Sequence, residues 1–277
     1  PYQQKVLNLV REAAQAKAAA LKCSAYDALL DQFEMGNRAK DIDVIFKDLK
    51  DFLPKFIGKV VKSQSRKKVT LPKGPFPIDK QRELSLKLME KIGFNFNTGR
   101  IDVSHHPFCG GVPGDVRITT AYKLDNFAPS LMATLHETGH ALYEDNLPKK
   151  WRDQPVGGPL GMSVHESQSL LVEMQACRSK YFLEFLSPLL KKYFPKNSKA
   201  WEKDNLSNIY TTVKPSPIRI QADEVTYPLH VIVRYEIEKQ LINKDIEMVD
   251  VPQVWNKYMK DYLGVTVKSD REGCMQD

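Results

Sequence analysis

The stretch Leu131–Asn146, LMATLHETGHALYEDN, restricts what this chain can fold into more than any other, because it sets His136-Glu137-Thr138-Gly139-His140 within an apolar helical pattern. At about 3.6 residues per turn, positions four apart share a helix face, so His136 and His140 are placed to bind one ion, with Glu137 beside it. Two neutral imidazoles on a divalent metal, and a carboxylate positioned to take a proton from the water it activates, are the parts of a zinc hydrolase. Chance supplies the pattern in on the order of one chain in a hundred of this length. The plainer alternative is an amphipathic helix with surface histidines, in which Leu131, Met132, Leu135, Ala141 and Leu142 are apolar all the same. A third ligand elsewhere would separate the two.

That ligand is expected at Glu166, 26 residues beyond His140, in His165-Glu166-Ser167-Gln168-Ser169. A glutamate on a second helix at such a distance is the usual companion of two histidines spaced this way. His165 lies about 100° round the helix from it and is expected behind the ligands or along the groove. Without the upstream motif, Glu166 would read as an acid favoured by a helix N-terminus.

With 277 residues and 42% hydrophobic content, the chain can bury a core in one large domain or two closely packed ones. We expect one catalytic domain over 1–277, with a helical N-terminal part at 1–93 and a metal- and substrate-binding part at 94–277. The net charge is +7, but the basic residues alternate with 34 acids, and neither KKVTLPK nor KKYFPKNSK carries a nucleic-acid motif. A solvated surface is the expectation, with no nucleic-acid partner and no membrane partner, since no apolar stretch is long enough to span a bilayer. Cys23, Cys109, Cys177 and Cys274 form no CxxC pair, which points to reduced thiols and a cytoplasmic location.

Periodicity predicts helices over 2–23, from Ser24 to before Gly36, from Asp41 to about Val60 with a bend at Pro54 or Gly58, and over 78–92 with Gly93 as the stop. Residues 65–77 read as a loop. Phe94 and Phe96, then Asn97-Thr98-Gly99, then Ile101 and Val103, predict two short strands about a tight turn, with 117–120 as a third strand. Residues 148–161 read as a loop, 163–186 as one long helix, and 205–213, 227–242 and 254–263 as further helices. The fold class is therefore mainly α, with a small β-sheet just before the histidine helix, where an extended substrate can add to a sheet edge.

Taken together, His106-Pro107-Phe108, Asp115-Val116-Arg117-Ile118-Thr119, the His136–His140 motif, His165-Glu166-Ser167-Gln168 and Ile218-Arg219-Ile220-Gln221-Ala222-Asp223 resemble the carboxypeptidase Taq family of zinc-type metallocarboxypeptidases. Five motifs in order make accidental likeness remote, and the resemblance runs over the whole chain. It implies a multi-helix, gluzincin-like metallopeptidase with the sheet beside the active-site groove, a homodimer, and a cytosolic enzyme that removes single C-terminal residues from peptides. A further family motif, Gly-x-x-Gln-Asp-x-His-Trp, is present only as Gly273–Asp277, so the sequence is expected to be part of a longer chain.

On this reading His136, His140 and Glu166 hold one divalent ion, Zn2+ by default with Co2+ or Mn2+ as alternatives, and Glu137 is the general base. A carboxypeptidase needs a cation for the terminal carboxylate. Arg219 is the first candidate, because a guanidinium can grip a carboxylate with paired bonds, and Arg117 the second; the alternative for either is a structural ion pair with Asp115 or Asp223. Tyr227 and His230 are expected as donors to the tetrahedral oxyanion, against the alternative that they are core residues. His106 is expected to shape one end of the groove. Three other readings compete: an endopeptidase or oligopeptidase on the same chemistry, a catalytically silent helical binding module, and a nucleophilic Cys109 beside His105 and His106.

Overall fold

The computed structural model describes residues 2–112 and 114–276. They form two compact units, one from residues 1–67 with 212–277 and the other from residues 68–211. The division does not follow the expected boundary at residue 93. Helix α4 (Ile78–Lys91) buries Leu84 and Leu88 among side chains of 127–206, and the C-terminal helices share cores with the N-terminal ones. Periodicity shows which face of a helix is apolar, not which partner covers it.

The first unit is helical: α1 (Tyr2–Leu21), α2 (Ala25–Leu30), α3 (Ala39–Gln64), α9 (Tyr227–Asn243) and α10 (Val251–Leu263). Ser24 caps α2 by accepting the Asp27 N–H, and α3 runs through Pro54 without interruption. Leu53 and Ile57 meet Leu229, Ile232, Val233, Trp255 and Met259 in one core, and Leu7, Ala14, Tyr26 and Tyr235 form a second. Arg11 is buried yet satisfied, donating to Leu241 O, Ile246 O and both carboxylate oxygens of Glu247.

The second unit places the metal motif. Its sheet has strands β1 (Gly99–Val103), β2 (Phe108–Val112) and β3 (Asp115–Thr120) in the order β1-β3-β2, with β1 parallel and β2 antiparallel to β3. The predicted hairpin about residues 97–99 is absent. Phe94 turns into the core, the Asn95 side chain accepts the Asn97 N–H, and Gly99 already begins β1, where a Cβ would lie 2.6 Å from the Phe94 ring. Strand β2 was not predicted, because Cys109-Gly110-Gly111 shows no alternation and Gly111 takes φ +130°. The long helix expected over 163–186 divides into α6 (Met162–Leu170), a π-helical turn (Leu171–Ala176) and α7 (Lys180–Tyr193), with Ser179 capping the restart. Helix α8 (Lys203–Tyr210) completes the unit.

Helix α5 (Ala128–Asp145) carries the two histidines and lies at the centre of this unit. Its Leu131, Met132 and Leu135 enter the core with Leu84, Leu88, Leu183, Leu186 and Trp201, and its Ala141 packs beneath the sheet against Ile101, Val116 and Ile118. Buried polar contacts fix the helix further. Thr134 Oγ1 bonds Thr120 Oγ1 at 3.1 Å, and Ser130 donates to Gln81, whose amide in turn donates to Phe76 O and Lys123 O.

Candidate metal centre

His136 and His140 leave α5 on one face, and α6 brings Glu166 to them. Glu166 Oε2 lies 3.7 Å from His136 Nε2 and 3.4 Å from His140 Nε2, and the three ligand atoms all fall within 4.8 Å of one another. Tetrahedral bonds of about 2.0–2.1 Å would set such atoms roughly 3.4 Å apart, so the donor set fits a small divalent cation. Gly139 is what permits the approach: a Cβ there would stand 2.6 Å from Ser169 Cα and 2.8 Å from Gln168 O, so any side chain would wedge α6 away from α5.

Each imidazole is held from behind. His136 Nδ1 meets Glu173 Oε2 at 2.9 Å, and the other oxygen of Glu173 accepts from Arg178 Nη2 at 2.7 Å. Glu173 comes from the π-helical turn, an element common at functional sites. Burial works against its charge, but the bonds from His136 and Arg178 prevail and hold its pKa below the usual value. Burial likewise works against a charged His136, while Glu173, Glu166 and Glu137 outweigh it and raise that pKa. Behind the second ligand, His140 Nδ1 meets His165 Nδ1 at 2.7 Å, and His165 Nε2 meets Glu144 Oε1 at 2.7 Å.

Glu137 is buried beside the ligands at 9% exposure, and burial raises its pKa despite the opposing fields of His136 and His140. That shift brings a carboxylate toward the neutral range in which a general base works. His106 is exposed and adds a smaller field on Glu137, which puts it on the base's side of the site. The Cys109 thiol is pushed up to about 12 by burial and by Glu137 and Glu144, which disfavours the thiolate that a cysteine nucleophile needs.

Arg117 is not brought to this centre. Val116 and Ile118 face α5, so Arg117 projects from the opposite face of β3, where Asp115 holds its guanidinium through both carboxylate oxygens. Arg219, Tyr227 and His230 belong to the first unit. Arg219 is half-buried, and its N–H donates to Gln276 Oε1 while Gln276 Nε2 donates to Pro217 O, so two of the sequence motifs meet there. Asp223 accepts from Lys214, Val225 and Thr226 at the start of α9. Tyr227 is half-buried and His230 is fully buried.

Sequence reading missed Glu144, Glu173 and Gly139. Glu144 was legible, because it continues the stripe His136, His140 at the same four-residue spacing. Glu173 was not, because its direction depends on the π-helical turn.

A mainly helical fold with two helix-borne histidines, a glutamate from a second helix and a buried glutamate beside them is the arrangement expected of a metallopeptidase of the His-Glu-x-x-His type. The family model for carboxypeptidase Taq (M32) metallopeptidases matches residues 1–277, and the chain belongs to that family. It is 38% identical over 253 residues to carboxypeptidase 1 of Bacillus subtilis, covering 91% of this chain and 50% of that protein. It is 34% identical over 281 residues to thermostable carboxypeptidase 1 of Pyrococcus furiosus, covering 100% and 56%. Among solved structures, Trypanosoma cruzi metallocarboxypeptidase 1 superimposes with a TM-score of 0.96 at 44% identity, over 99% of this chain and 57% of that one. The chain thus spans about half the length of the curated relatives it matches.

Proposed function

We propose that the protein of which this chain is a part is a metallocarboxypeptidase that removes single residues from the C-terminus of peptides. The observation that carries the reading is the convergence of His136, His140 and Glu166 on one point with Glu137 beside it. The donor set favours Zn2+, with Co2+ or Mn2+ as alternatives. A cation bound there supplies a Lewis acid that polarises the scissile carbonyl and acidifies water. Glu137 takes the proton of the attacking water and passes it to the departing amine, and Tyr227 donates to the oxyanion.

Arg219 is proposed to receive the terminal carboxylate, since the bidentate grip of Asp115 favours a structural role for Arg117. His106 is proposed to border the groove near Glu137. The substrate class is peptides with a free C-terminus. A homodimer and a cytosolic location remain part of the proposal, the latter supported by four free cysteines. No helix among the described residues is long and apolar enough to cross a membrane.

The test compares a peptide with its C-terminally amidated twin, using the full-length protein. The free acid should be shortened one residue at a time and the amide left intact; efficient internal cleavage of both would assign an endopeptidase instead. Glu137→Gln should keep the metal while lowering kcat by about 10²–10⁴-fold, and an unchanged rate would reject Glu137 as the base.

A further inference from the structure

His140 and His165 approach each other through like atoms, Nδ1 to Nδ1 at 2.7 Å. Two bare nitrogens at this separation repel, as do two N–H groups, so exactly one of the pair carries the proton. The Nε2 of His140 faces Glu166 and is the atom turned toward the ion, which leaves its ring proton on Nδ1. His165 must then accept at Nδ1 and carry its own proton on Nε2. That nitrogen does face an acceptor, Glu144 Oε1 at 2.7 Å. Each proton in the row Glu144, His165, His140 therefore has a single place, and each bond polarises the next.

The slot around the His165 ring is closed on a further side. Tyr143 stands edge-on to it, with centroids 5.3 Å apart at 89°, and the Tyr143 hydroxyl is itself fixed by accepting the Leu160 N–H at 3.0 Å. With Nδ1 occupied by His140 and Nε2 by Glu144, His165 has no nitrogen left for the ion, although it sits in the same motif as Glu166.

We infer that His165 is a positioning residue that locks His140 into the tautomer and ring orientation needed for coordination through Nε2, with Glu144 fixing His165 in its acceptor form. The inference rests on the reading that His136, His140 and Glu166 hold the ion. It assigns the two consecutive residues of the second motif different tasks: Glu166 faces the ion and His165 faces the back of another ligand. It also explains why a histidine suits that position, since a lysine has no acceptor and a carboxylate would crowd Glu144.

Two substitutions separate acceptor from ring. His165→Phe keeps an aromatic ring against Tyr143 and removes the acceptor, whereas His165→Asn returns an oxygen near the place of Nδ1. Measured by chelator competition on the full-length protein, zinc affinity should fall about 10–100-fold in H165F and return to near the wild-type value in H165N. Nitrogen-15 spectra of the zinc-loaded wild type should show His165 bare at Nδ1 and protonated at Nε2, a readout that stands even if H165F folds poorly. A proton on His165 Nδ1, an H165F affinity equal to wild type, or an H165N loss as large as that of H165F would overturn the positioning role. A wild type that takes up no zinc would overturn the metal centre and this role together, while one zinc bound with H165F unaltered would overturn the role alone.

Discussion

His136, partly buried, and His230, fully buried, stand on long helices, one in each unit, and they are driven in opposite directions. Burial alone disfavours a charged imidazole at either position. Around His136 the carboxylates of Glu173, Glu166 and Glu137 overcome that cost and raise the pKa, whereas around His230 burial is reinforced by Arg234 and Arg219 and the pKa drops to about 4. The difference shows that burial lowers the pKa at both positions and that the neighbouring charges decide whether this shift is reversed or reinforced. A pocket that welcomes a proton on His136 welcomes a divalent cation for the same electrostatic reason, whereas at His230 burial, Arg234 and Arg219 outweigh the Ser216 backbone and Asp223, which favour the charged ring.

The strongest way to break this contrast is to strip the carboxylate from behind His136. Glu173→Leu leaves Arg178 buried without its partner and His136 without its acceptor, so the metal-free protein should lose about 3–5 kcal/mol in denaturant unfolding. Zinc affinity should fall at least as far as in H165F, because a charged acceptor binds an N–H more strongly than a neutral ring. Equal stability of E173L and wild type would show that the buried pair does not support the centre.

The His230 side of the contrast is tested by pH. Between pH about 6.5 and about 4 the unfolded ring takes up a proton that the folded ring refuses, so the unfolded state holds more protons. Stability from this group is therefore complete above pH about 6.5 and declines as the pH falls to about 4, by on the order of 3 kcal/mol. Urea unfolding across that range checks the slope, and a proton resonance of His230 that titrates near 6.5 would contradict it.

A smaller effect is expected where α5 and α6 touch. Gly139→Ala forces a methyl group against Ser169 and Gln168 and should cost about 1–3 kcal/mol, with weaker zinc binding because Glu166 is displaced. Smallest of all is Arg117→Ala, which should leave melting temperature and peptide turnover within error of wild type, while Arg219→Ala raises KM for free-acid peptides. A loss of terminal-carboxylate preference in R117A would reverse the roles proposed for the two arginines.

The helices and the clustering of His136, His140 and Glu166 were legible because both are written in spacing. His136 and His140 stand four apart, Glu166 follows in a second helical run, and the apolar faces of α1, α3, α9 and α10 repeat at 3.6 residues. What escaped depends on contacts between distant segments. The parallel pairing of β1 with β3 is invisible in residues 94–103, β2 is hidden by its glycines, and the π-helical turn that aims Glu173 leaves no periodic mark. The burial of His230 was not legible for a related reason: its helix spacing is the same whether its ring is exposed or lies in the interior of the first unit.

His136, His140 and Glu166 are proposed to bind one divalent ion together. Metal analysis of the full-length protein after dialysis against trace zinc tests it directly, with Glu166→Ala as the comparison. One zinc per chain in wild type and much less than one in E166A is the predicted result; wild type without stoichiometric metal, or E166A retaining all of it, would contradict the account.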